Sequence, residues 1–84
     1  MSWNVDWSRP AQRDMRRLDH DIARRIVEAV DHFAETGHGD VRPLRGRERQ
    51  WRLRVGDWRV MFTYVPETTT ILVAQVLPRG RAYR

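Results

Sequence analysis

Apolar and polar positions alternate across residues 51–64, WRLRVGDWRVMFTY, on both sides of Gly56-Asp57. Alternation at a period of two is the mark of a strand with one buried face. Two such runs joined by two residues, glycine first, predict a hairpin closed by a type II′ turn. That turn sets the register: Val55 opposite Trp58, Arg54 opposite Arg59, Leu53 opposite Val60 and Trp51 opposite Phe62. Trp51, Leu53, Val55, Trp58, Val60, Phe62 and Tyr64 then share a core face. Arg52, Arg54, Arg59 and Met61 share the other.

The same patterning predicts the remaining elements. Trp3-x-Val5-x-Trp7 alternates, so residues 2–7 form a short strand. Ser8 suits a helix N-cap and Pro10 a first turn; Ala11, Met15 and Leu18 follow at helical spacing. A second helix begins at the 19–21 segment, carries the stripe Ile22, Ile26, Ala29, Val30 and Phe33, and stops at Gly37. Residues 38–50 are loop-like, with a brief edge strand at 41–45. Residues 66–69 turn, and 70–77 form a nearly continuous apolar strand in which Gln75 is the polar exception. Such a strand belongs in the middle of a sheet with both faces covered. A four-residue loop before it would place Gln75 on the core face, an awkward position for an amide. The resulting fold class is α+β, a β-α-α unit followed by a meander of three or four strands, as one domain over residues 1–84. The helices cover one sheet face and leave the arginine face partly open.

Charge changes this picture more than composition does. All 16 basic residues are arginine. Residues 1–41 hold six of them against eight acids, a net of −2; residues 42–84 hold ten against three acids, a net of +7. The basic half is the strand half. Directly opposed like charges are unfavourable in a sheet, so the Arg54–Arg59 pair asks for a counter-ion. Either the face is an ordinary solvated one, or it binds an anion, and a polyanion such as RNA would meet the need. The chain has no cysteine, no signal-peptide pattern and no long apolar run, which fits a cytoplasmic protein without disulfides.

Familiar hydrolytic arrangements are missing from the sequence. His20, His32 and His38 lack metal-ligand spacing, and there is no phosphate-binding glycine loop, paired carboxylate or Ser-His-Asp set. The arginines suit a different reaction, attack of an RNA 2′-OH on its own phosphodiester. Positive charge stabilises the transition state of that reaction without a metal or cofactor, and a guanidinium fork holds two phosphate oxygens at once. In the basic tail 79–84, Tyr83 could stack on a base or take part in proton transfer.

The whole chain resembles toxins of the RelE/ParE superfamily, on the side of RelE. The similarity runs through Trp3-x-Val5-x-Trp7-Ser8, Ala11 to Leu18, Pro43-Leu44-Arg45-Gly46, the 51–60 segment with its Gly-Asp-aromatic-Arg turn, and Arg79-Gly80-Arg81-Ala82-Tyr83. The resemblance implies a sheet packed on a helical hairpin, with the last strand between the first strand and the meander. It implies a toxin bound by a cognate antitoxin, and a metal-independent endoribonuclease that cuts mRNA, typically on the ribosome. Carried onto this sequence, the catalytic positions are Arg52, Arg54, Arg59, Arg79 and Tyr83, with Arg45 and Arg81 as further RNA contacts. Lysines that many RelE toxins carry in the first hairpin strand are arginines here, and arginine cannot serve as a base. Glu48 is the nearest carboxylate that could. The alternatives are a ParE-like toxin acting on DNA gyrase and a non-catalytic interaction module.

Overall fold

Ser8 ends the first strand and starts the first helix with one side chain. Its Oγ accepts the Ala11 N–H at 3.2 Å, capping the helix, and donates to the Ala74 carbonyl at 2.8 Å, tying that cap to the last strand. The computed structural model describes residues 2–46 and 49–78. The order along the chain is β1 (Asn4–Trp7), α1 (Arg9–Arg16), α2 (His20–Thr36), β2 (Asp40–Pro43), β3 (Trp51–Val55), β4 (Trp58–Val65), a 3₁₀ turn (Pro66–Thr68) and β5 (Thr70–Pro78). Asp19 sits at the N-cap of α2, and Gly37 ends it at a φ of 77° with its N–H on the Phe33 carbonyl.

The strands form a mostly antiparallel sheet in the order β1-β5-β4-β3-β2, with β1 parallel to β5. The last strand therefore lies between the first strand and the meander, as expected. The hairpin register is the predicted one, pair for pair from Val55–Trp58 to Trp51–Phe62. Gly56 turns at a φ of 59° while Asp57 keeps a negative φ, the combination a type II′ turn requires. The edge strand starts at Asp40, one residue before the predicted 41–45, and pairs Asp40 with Arg54 and Arg42 with Arg52.

Both helices lie on one face of the sheet, α1 against β5 and α2 across β1 and β3. The core runs through Ala11, Ile26, Val30, Phe33 and Ala34 from the helices and Leu53, Val60, Phe62, Ile71, Val73 and Val76 from the sheet. Tyr64 stands at one end of it, its ring centroid 5.0 Å from Trp3, 5.4 Å from Phe62 and 5.8 Å from Trp51.

Two expectations are corrected here. Gln75 is not on the core face: between Met61 and Phe62 the register slips, so Met61 faces Gln75 and Phe62 faces Val73. Ala74 is the extra residue of this β-bulge, and a bulge changes which face the following residues take. Gln75 thereby moves to the arginine face and Val76 returns to the core. Nor is β5 covered on both faces throughout, because Ala74 and Gln75 are exposed.

Candidate functional site

The sheet face away from the helices is built from cross-strand rows. One runs Gln75–Met61–Arg52–Arg42 and the next Leu77–Arg59–Arg54–Asp40, read across β5, β4, β3 and β2. Alternation along each strand brings these side chains to one side. Four arginines from three strands therefore gather within two adjacent rows, with one carboxylate at the sheet edge.

The burial of that face differs from the sequence expectation. Arg54 and Arg42 are exposed, but Arg52 is only 8% exposed and Arg59 only 3%. Their row neighbours explain the difference. Arg52 stands opposite Met61, itself buried, and Arg59 stands between Arg54 and the half-buried Leu77. Long arginine stems cover apolar surface of this kind as readily as aliphatic side chains do. The polar half of the alternation is thus a second, thinner buried layer with guanidinium groups in it.

Each arginine has a distinct setting. Arg59 Nη1 donates to the Trp58 carbonyl at 3.2 Å, and Arg54 Nε donates to the Gly56 carbonyl at 3.3 Å. Both guanidinium groups thus lean on the backbone around the turn. Arg52 Nη1 is buried and makes no hydrogen bond among the described residues, where it pairs with Asp40 Oδ1 at 3.8 Å. Asp40 Oδ1 also lies 3.9 Å from Arg42 Nε. Both separations are ion-pair contacts beyond hydrogen-bond range. The expected Arg54–Arg59 pair is present in register, yet an acid does stand in its row. Asp40 was missed because the edge strand was expected to begin at Val41, which left Asp40 in a loop.

Arg45 is exposed in the turn that follows β2, beside Gly46. Glu48, Arg79, Arg81 and Tyr83 lie outside the described residues. The chain leaves β5 at Pro78, paired with Trp58, one step from the Arg59–Leu77 pair. Among the described residues no group of three or more His, Asp or Glu side chains has the arrangement of a metal site. His32 and His38 lie close to each other, ring centroids 6.3 Å apart.

Two grooves flank this face. One, about 500 Å³, opens where β4 outruns β3 and is lined by Arg49, Trp51, Thr63, Tyr64 and Glu67 among others. The other, about 200 Å³, lies between α2 and the hairpin tip, beside Arg25 and Trp58.

Comparison with known proteins adds identity to this geometry. The family model described as the ParE toxin of the type II toxin–antitoxin system parDE matches residues 5–83. A chain of the toxin–antitoxin complex RelBE2 from Mycobacterium tuberculosis superposes with a TM-score of 0.82 at 25% identity, covering 95% of this chain and 94% of that one. A chain of the archaeal RelE–RelB complex from Pyrococcus horikoshii gives 0.78 at 26% identity, covering 98% and 100%. A doubly substituted mutant of the Escherichia coli toxin RelE in the free state shares the fold, with a TM-score of 0.79 at 17% identity over 98% of this chain and 87% of that one. No curated protein matches by sequence. A matching model over nearly the full length and a shared fold agree: this chain is a toxin of the RelE/ParE fold and belongs to the ParE toxin family of type II toxin–antitoxin systems.

Proposed function

We propose that this toxin is an endoribonuclease that cuts mRNA, on the ribosome, by attack of a 2′-OH on the adjacent phosphodiester. The observation that carries this reading is the arginine cluster, four guanidinium-bearing residues in two adjacent rows of one sheet face. Exposed Arg54 and Arg42 can fork onto phosphate oxygens, while Arg52 behind them adds positive charge in a partly desolvated setting. Arginine forks around a phosphodiester lower the barrier by meeting charge that develops in the transition state. In this reading Arg52, Arg54 and Arg59 supply that charge. Arg79 and Tyr83 complete the site, Arg45 and Arg81 hold the flanking RNA, and the chemistry needs no metal.

The RelE structures similar to this chain include complexes with RelB antitoxins, and we extend that partnership here. An acidic, partly apolar segment of an antitoxin would neutralise a half-chain of charge +7 and hold the toxin inactive in the cytoplasm. No helix among the described residues is long and apolar enough to cross a membrane.

A second reading is favoured by one specific finding, the ParE description of the matching family: the toxin would inhibit DNA gyrase. Mapping RNA ends on translated and naked mRNA, with a gyrase supercoiling assay in parallel, separates the two. New ends in translated mRNA, with supercoiling intact, support the nuclease. Inhibited supercoiling with intact RNA overturns it.

A further inference from the structure

Every basic side chain that could surround the scissile phosphate is an arginine, so none of them can take the proton from the attacking hydroxyl. Among the described residues, Asp40 is the one acid that pairs with arginines of this face. It stands directly opposite exposed Arg54 and two residues from exposed Arg42 on its own strand. Its side chain is 47% exposed, and both of its ion-pair contacts are longer than a hydrogen bond. No hydrogen bond from a described residue occupies the carboxylate.

Among the described residues, the charged groups facing Asp40 are all cationic: Arg42 on β2, Arg52 and Arg54 on β3, and Arg59 one strand further along the same row. A phosphodiester bound by exposed Arg54 and Arg42 would bring its neighbouring ribose hydroxyl to the same edge of the sheet as Asp40.

We propose that Asp40 is the general base of this cleavage. The inference rests on the nuclease reading above and deepens it by assigning the proton transfer on a single-stranded RNA substrate. Asp40 removes the proton of the 2′-OH as the 2′ oxygen bonds to phosphorus and the bond to the 5′ oxygen breaks. The departing 5′ oxygen takes a proton from water, and Asp40 returns its own proton to the hydroxide so formed. The products are a 2′,3′-cyclic phosphate and a 5′-hydroxyl.

The test is single-turnover cleavage of ribosome-bound mRNA across a pH series by the full chain, by Asp40→Asn and by Asp40→Ala, with and without formate. Binding of a 2′-deoxy analogue and melting temperature are measured on the same preparations. Asp40→Asn is expected to cut about 100- to 10,000-fold more slowly and to lose the acid limb of the pH profile. It should bind the uncleavable analogue at least as tightly, because a negative charge beside the phosphate has gone. Formate should restore part of the Asp40→Ala rate and leave the unsubstituted toxin unchanged. A full rate and unaltered pH profile in Asp40→Asn would overturn the assignment while the nuclease reading stands. So would a slow variant that keeps its acid limb and ignores formate. An unsubstituted chain that cuts neither translated nor naked RNA overturns the nuclease reading, and the role of Asp40 with it.

Discussion

The Asp14 carboxylate on α1 accepts the backbone N–H of Val76 on β5 at 2.9 Å, across 62 residues of sequence. Val76 lies beyond Val73, the last residue of β5 that pairs with β1, where α1 rather than a strand is the neighbour. The helix side chain supplies the acceptor that the neighbouring strand does not.

Asp14→Ala would leave that N–H without its acceptor in a part-buried setting, at a cost of about 1–3 kcal/mol. Asp14→Asn keeps a carbonyl oxygen in place and should cost less. Urea unfolding of the two variants ranks them. Equal midpoints for Asp14→Ala and the parent chain would show that the contact contributes nothing.

Arg52 sets stability against function. Among the described residues its buried Nη1 has no hydrogen bond and pairs with a carboxylate at 3.8 Å, so its desolvation is poorly offset. Arg52→Met keeps the aliphatic length and removes the buried charge. The melting temperature should stay level or rise, while RNA cleavage falls roughly 100- to 1000-fold. Differential scanning calorimetry and end mapping on one preparation check both halves.

Arg59 is the contrary case. At 3% exposure, with Nη1 donating to the Trp58 carbonyl, it has a structural place in the sheet. The sequence alone suggests that Arg59→Leu relieves repulsion from Arg54 at no cost. The structure instead predicts a loss of about 0.5–1.5 kcal/mol, read as a lower urea midpoint. Activity lost by Arg59→Leu therefore has to be corrected for the unfolded fraction.

Burial raises the Tyr64 phenol above its ordinary 10.0. The folded state then holds this proton at a pH where the unfolded chain has released it. Stability from Tyr64 is complete below pH 10 and is lost as pH climbs from there through the raised folded value. Tyr64→Phe removes the titrating group, so its unfolding midpoint should decline less between pH 9 and 11. Parallel decline in both proteins would mean that the phenol is as well solvated folded as unfolded.

The hairpin was legible because a two-residue turn leaves no freedom in register, and every pair from Trp51–Phe62 to Val55–Trp58 follows from it. The helices were legible from Ser8, Gly37 and the stripe between Ile22 and Phe33. Gln75 was not, since a bulge is decided by contacts from another element, here Ser8 and Asp14, and leaves no mark in local periodicity. The burial of Arg52 and Arg59 was hidden for a related reason. Alternation tells which side a residue takes, whereas Met61 and Leu77 decide how deep that side becomes. Asp40 escaped notice because a four-residue edge strand owes its existence to pairing with β3. Arg79 and Tyr83, which the resemblance places in the site, and Glu48, the nearest carboxylate in the sequence, lie outside the described residues.

The position of β5 has a consequence for how this chain is made. The strand that separates β1 from β4 is the last of the five to be synthesised, and β1 is the first. Until residues 70–78 have left the ribosome, β1 has no strand to bond with, and the ledge that α1 packs on does not exist. Folding must therefore wait for contacts between distant parts of the chain, the arrangement that slows folding most. A nascent chain stalled before β5 can hold its hairpin and α2 but cannot close the sheet.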